Sequence, residues 1–264
     1  MLNIKSINKG FNKGTVNETN IFNNFNLDIN KGDFVTIVGS NGAGKSTLLN
    51  LISGALELDS GNILLEGKDI TNLKEHRKSK FISRVFQDPT KGTSPSMTIL
   101  ENLSLADNKG SRFGLSLGVN KKKIEEFKSH LSILNLGLED KINTKVGMLS
   151  GGQRQALSLL MATLNTPKIL LLDEHTAALD PKTSETIINL TNNIVREKNI
   201  TTIMITHNLS HAIEFGNRLI MMHRGEAILD IEEIEKYNLT KNDLIEEFNK
   251  ITFKEELSDR VIFA

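Results

Sequence analysis

The sequence predicts an α/β protein with a mostly parallel core sheet, an antiparallel β region at its N-terminal end and a helical insertion. Three observations carry that reading. Apolar runs of strand length at 34–38, 82–86, 169–172 and 202–206 alternate with helical patterns over 36–88 and 166–224. A glycine-rich loop joins the first of these runs to the apolar helical run at 48–52. Strand signals then vanish between about 89 and 160.

Residues 2–35 alternate apolar and polar positions between Gly and Asn turns, the period of a half-buried antiparallel sheet. The loop that follows reads Gly39-Ser40-Asn41-Gly42-Ala43-Gly44-Lys45-Ser46-Thr47. Its glycines permit positive φ and close approach of the backbone, so amides and a helix N-terminus point at an anion. Lys45 supplies a mobile charge for β- and γ-phosphates, Ser46 a hard oxygen for Mg²⁺, and Thr47 a contact to the α-phosphate. A tight strand-to-helix turn would use similar residues, but strand, loop and helix together favour a nucleotide cradle.

The run Ile169-Leu170-Leu171-Leu172 has the pattern of a strand buried on both faces, and it ends in Asp173-Glu174. Asp173 suits the Mg²⁺ shell, directly or through water, and Glu174 suits a general base for an attacking water. Before them lies Leu149-Ser150-Gly151-Gly152-Gln153-Arg154-Gln155, where Ser150 offers a hydroxyl, Gly151 and Gly152 offer amides, and a helix begins. Such a turn can also simply cap a helix.

With these three strings in this order, the chain resembles the nucleotide-binding subunit of ATP-binding cassette transporters, over residues 2 to about 230. The resemblance implies a P-loop NTPase core (1–88 and 161–230), an inserted helical subdomain (89–160) carrying the signature, and a C-terminal helical tail (231–264). It implies ATP and Mg²⁺ as ligands and a head-to-tail dimer, in which Ser150, Gly151, Gly152 and Gln153 face the γ-phosphate held by the other copy. Gln87, after the run at 82–86, resembles the glutamine loop that senses Mg²⁺ and the reactive water. Asp180, in Ala178-Leu179-Asp180, resembles the loop crossing the dimer interface, and His207 the switch histidine at the γ-phosphate. Each also has a plainer reading: a surface glutamine, an N-cap before Pro181, a strand-end histidine. Phe11 is assigned the adenine-stacking place, with Phe22 and Phe25 as competitors. Stacking on a base is worth roughly 1–3 kcal/mol with any flat ring.

One departure from the family pattern is His175, where proline is usual. An imidazole there could bond Glu174 or tune it, but it reads as a tolerated loop residue and stays outside the catalytic set. His76, His130, His211 and His223 share no metal-ligand spacing.

Composition bounds the rest. Cysteine is absent, which excludes disulfides, thiolate nucleophiles and cysteine-based metal sites. Formal net charge is zero, against a general nucleic-acid binder. Lys121-Lys122-Lys123 reads as a solvated helix start. No stretch reaches the roughly 18 apolar residues of a membrane span, and Met1-Leu2-Asn3-Ile4-Lys5 lacks a signal-peptide core. A transport role therefore requires a separate permease, with the chain bound at the cytoplasmic face of the membrane.

Within 89–160, residues 88–97 read as a linker, and helical patterns follow at 98–106 and 121–135. Residues 221–229 read as a hairpin centred on Arg224-Gly225, and Leu239, Leu244, Ile245 and Phe248 fall on one apolar helical face. The favoured function is an importer ATPase served by an extracytoplasmic solute-binding protein. The stretch from Met161 to Thr183 looks like cassettes of aromatic-amino-acid or related small-solute importers. The competing function is a soluble cassette ATPase used as an assembly scaffold, of the iron–sulfur assembly type.

Overall fold

The computed structural model describes residues 1–110, 118–119 and 121–250. Three strands lead to the phosphate loop: β1 (Leu2–Phe11), β2 (Thr19–Ile29) and β3 (Phe34–Gly39). Helix α1 (Lys45–Ser53) leaves the loop and buries Leu48, Leu49, Leu51 and Ile52 beneath it. At roughly 1.5–3 kcal/mol per fully buried aliphatic side chain, that face anchors the helix firmly. Next come β4 (Ser60–Leu65), β5 (Lys68–Asp69), a short α2 (Glu75–Lys78) and β6 (Ile82–Val85).

The antiparallel sheet has the order β2-β1-β4-β5. The sequence predicts that 36–88 helps build the mostly parallel core sheet; instead, within that stretch, β4 and β5 complete the antiparallel sheet. Their alternation, with Ile63 and Leu65 buried and their neighbours less so, is that of a sheet with one wet face.

From β6 to β7 the described residues contain no strand. Helices α3 (Ile99–Asp107), α4 (Ile124–Ser132) and α5 (Gly151–Thr163) occupy the interval. Thr98 caps α3 in a reciprocal capping box with Glu101, which fixes where that helix starts. Lys121–Lys123 form a 3-10 turn rather than the first turn of α4, and Lys123 pairs with Asp107 at 2.9 Å. These helices share their own apolar cluster, including Leu103, Phe127, Leu131, Leu138 and Leu157, and Ile187 reaches into it.

The chain returns through β7 (Ile169–Asp173), α6 (Pro181–Glu197), β8 (Thr201–Ile205), α7 (Leu209–Glu214), β9 (Arg218–His223), β10 (Glu226–Glu232) and α8 (Glu233–Tyr237). The second sheet has the order β10-β9-β3-β8-β7-β6, parallel except for the β9–β10 hairpin. Strands β3, β7 and β8 carry almost unbroken buried runs because helices cover both faces.

A helix from 241 follows, and Leu244 is fully buried against Val38, Ala212, Leu219 and Met221. Leu239 and Phe248 pack at its margin, whereas Ile245 is exposed and so drops off the apolar face expected of it. The remainder of that tail, 251–264, lies outside the described residues. Among the described residues no helix is long and apolar enough to cross a membrane.

Candidate nucleotide site

The parallel order brings the C-terminal ends of β3, β7 and β8 to one edge. Gly39 ends β3, and Gly44 takes φ 95° to open α1, so residues 40–44 form the loop between them. Lys45 is buried, and its Nζ donates to the Gly39 and Ser40 carbonyls at 2.7 and 2.8 Å. Burial pushes its ammonium below the usual lysine range, while the charges of Glu174 and Asp173 pull it back up. Ser46 is exposed, and its Oγ lies 3.5 Å from Asp173 Oδ1. A cleft of about 180 Å³ is lined by residues 41–47, Glu174, His207 and Ile21. No sequence signal marked Ile21, which enters from β2 of the other sheet.

Registration of β7 against β8 pairs Asp173 with Ile205, so the residues just beyond those strands meet. Glu174 takes φ 48° there, a left-handed conformation that costs roughly 1–3 kcal/mol outside glycine and is typical of functional turns. Its amide donates to Ile205 O at 3.1 Å, and its Oε1 stands 2.5 Å from His207 Nε2. Glu174 is largely buried whereas the His207 imidazole is half exposed, so one partner is held and the other can swing.

On the other flank of β7, Val85 pairs with Leu172, and Gln87 leaves β6 exposed beside the strand that ends in Asp173. One residue that the sequence reading missed sits between them. Arg84 donates from Nη2 to Asp173 Oδ2 at 2.5 Å and from Nη1 to Asn50 Oδ1 at 2.6 Å. A lone arginine inside a strand pattern carries no sequence signal of this contact.

Phe11, at the end of β1, is partly exposed and has Lys9 Nζ 5.3 Å from its ring centre. Phe22 and Phe25 are buried and pack on each other at 5.0 Å, which removes both as platforms for a base. Ser150 caps α5: its Oγ accepts from the Gln153 amide at 3.2 Å, and the Gln153 side chain accepts from the Ser150 amide at 3.3 Å. Gly151 is exposed. A Cβ on Gly152 would come within 2.4 Å of Thr183 Cγ2, so close packing of α5 on α6 already demands glycine there. Asp180 caps α6 through the Thr183 amide at 3.1 Å, and Thr183 holds its carboxyl below the usual carboxylate range. Capping of both helices is thus realised within one chain, and it leaves the Ser150 and Asp180 ends at the surface.

His175 turns away from Glu174 and is not a surface loop residue. It is buried, with Nε2 3.1 Å from Thr191 Oγ1 on α6, and burial, with His211 adding to it, pushes its imidazole down to about 3. Among the described residues no three His, Cys, Asp or Glu side chains group as a metal cluster.

Comparison with known proteins agrees with this geometry. A family model described as ABC transporter matches residues 22–177. A tyrosine transport ATP-binding protein of Clostridioides difficile (strain R20291) is 53% identical over 248 residues, spanning 94% of this chain and 98% of the relative. A spermidine/putrescine import ATP-binding protein of Haemophilus influenzae is 36% identical over 272 residues, spanning all of this chain and 68% of that protein. Among solved structures, a dimeric post-hydrolysis ATP-binding cassette bound to ADP and Pi aligns with TM-score 0.74 at 31% identity, covering 88% of this chain and 98% of that one.

Proposed function

This chain belongs to the ABC transporter family as an ATP-binding, ATP-hydrolysing subunit, and we propose that it drives an importer for an aromatic amino acid from the cytoplasmic face of the membrane. Its relatives bear transport and import names, which sets aside the assembly-scaffold alternative. Members of the family work as ATPase dimers associated with membrane permease components. For this chain the solute is read from the tyrosine transport relative, and a solute-binding protein on the far side of the permease is part of the same proposal.

The contact between Glu174 and His207 beside the phosphate-loop cleft carries the catalytic reading. The loop amides and the α1 N-terminus bind the phosphate chain. The Lys45 ammonium exchanges neutral carbonyls for charged phosphate oxygens, a stronger class of hydrogen bond. Phe11 stacks on the base. Glu174 accepts the proton of the attacking water, and the half-exposed His207 orients that carboxylate and donates toward the γ-phosphate. Gln87 reports the state of the site to the helical region through the segment that follows it. Ser150, Gly151, Gly152 and Gln153 of one copy, with Asp180 at the seam, close the site of the other.

A hydroxyl and a carboxylate 3.5 Å apart at the loop are hard oxygen donors that fit Mg²⁺, so Ser46 and Asp173, with Gln87 at the rim, would hold it. When bound, the ion neutralises charge on the phosphate oxygens.

Glu174→Gln tests the centre of this reading. Hydrolysis is expected to fall at least ~100-fold while ATP binding persists and a stable dimer accumulates on size-exclusion chromatography. Wild-type turnover in that variant would remove Glu174 from the role. Reconstitution with the co-purifying permease and binding protein should give ATPase activity stimulated by tyrosine or a related aromatic amino acid. Stimulation by an unrelated solute instead would overturn the substrate assignment alone.

A further inference from the structure

We propose that Arg84 is the positioning residue of the metal site: it locks the Asp173 carboxylate so that one oxygen is consumed and the other is presented beside Ser46. This rests on the reading of Asp173 and Ser46 as the Mg²⁺ ligands. Among the described residues no three acidic or imidazole groups cluster as a metal site, so the orientation of the Asp173 carboxylate governs how well the ion is held.

Sheet geometry puts Arg84 in reach. In the parallel pairing of β6 with β7 it lies opposite Leu171, and side chains two residues apart share a face, so its neighbour further along β7 is Asp173. The planar guanidinium then splits its fork. Nη2 holds Asp173 Oδ2 at 2.5 Å, Nη1 holds Asn50 Oδ1 at 2.6 Å, and the plane rests 4.7 Å over the Phe86 ring. Asn50 stands four residues after Ser46 on α1, so the two lie on one face of that helix. Arg84 therefore references the carboxylate to the same rigid body that carries the Ser46 hydroxyl. The free oxygen, Oδ1, is the one that lies 3.5 Å from Ser46 Oγ. Both side chains of the pair are mostly buried, at 13% and 16% exposure, which limits solvent screening. The buried Nε of Arg84 lacks a partner, so the group is placed for its two Nη contacts at the expense of its own full satisfaction.

A positioning role and simple competition predict opposite signs. If Arg84 only neutralised Asp173, removing it would tighten the metal. If it orients Asp173, removal loosens the metal. A lysine cannot bridge Asn50 and Asp173 with a planar fork, so Arg84→Lys should recover only part of the function.

The test is Mn²⁺ binding to the full chain with saturating ATP, read by electron paramagnetic resonance, together with the Mg²⁺ dependence of hydrolysis. Arg84→Met is expected to weaken Mn²⁺ half-saturation about 10–100-fold, measured on the folded variant, with metal-free ATP affinity near wild type. Asn50→Leu, which cuts the tie to α1 and spares the ion pair, should shift it in the same direction by less. The double variant should fall short of the sum of the two effects, because both act through one contact chain. Unchanged or tightened Mn²⁺ binding in folded Arg84→Met overturns the inference. If Arg84→Met does not fold, unchanged binding in Asn50→Leu overturns it instead. Asp173→Asn separates the two layers: if that variant keeps wild-type Mn²⁺ affinity, the metal-site reading itself fails.

Discussion

His175 illustrates how a neighbour of the catalytic carboxylate can belong to the core. Its ring is buried against Thr191 and kept neutral, with a folded-state value of about 3 against 6.5 for the free side chain. As pH falls below 6.5 the unfolded chain takes up a proton that the folded chain refuses, so stability is full above 6.5 and declines steadily towards 3. Melting temperatures of the metal-free protein across that range should show His175→Gln losing a distinct part of the acid sensitivity. A parallel profile would refute the assignment. Much of the site was legible at this scale because Lys45 and Ser46 open the helix after the glycine-rich loop, Asp173 and Glu174 end an apolar strand run, and His207 follows another in the order the family resemblance implies. Arg84 was not legible, since its contact depends on register between strands distant in sequence, and Ile21 was not, since it reaches the cleft from the other sheet. Burial of Phe22 and Phe25, which removes the two competitors to Phe11 as a base platform, shows only in the packing.

Among the elements, the β9–β10 hairpin does more than end a sheet. Arg224 and Gly225 both take positive φ, 44° and 81°, the turn that matches strand twist. The Gly225 amide donates to Ala43 O at 3.1 Å, and a Cβ at Gly225 would meet Ile21 O at 1.6 Å. The turn thus braces the phosphate loop and touches the antiparallel sheet at once. Gly225→Ala is expected to destabilise the fold by about 2 kcal/mol or more, through steric overlap and the disfavoured φ, and to weaken ATP binding. Urea denaturation and nucleotide titration measure both, and a variant within experimental error of wild type in each would dismiss the brace. The hairpin itself was evident from Arg224-Gly225 between apolar runs. Allocation of β4 and β5 to the antiparallel sheet was not, because short alternating strands do not reveal which sheet they join.

For the whole molecule, separate apolar clusters under the antiparallel sheet and within the helical region give each its own packing. The proposed shared site makes a strong demand on an assembly of two such chains. Lys45→Ala and Ser150→Ala proteins should each be inactive alone, yet a mixture should recover hydrolysis, because one heterodimer site joins an intact loop to an intact signature. A mixture no more active than its parents would argue against sharing. A last consequence concerns biosynthesis. Strand β3, which presents the loop, pairs with β8 and β9, and the entry to it is tied to Thr201 across 169 residues. A nascent chain emerging from the ribosome therefore carries the complete loop sequence long before it can hold that loop in shape. Competence to capture nucleotide follows only after β8 and β9 have been made and have paired with β3.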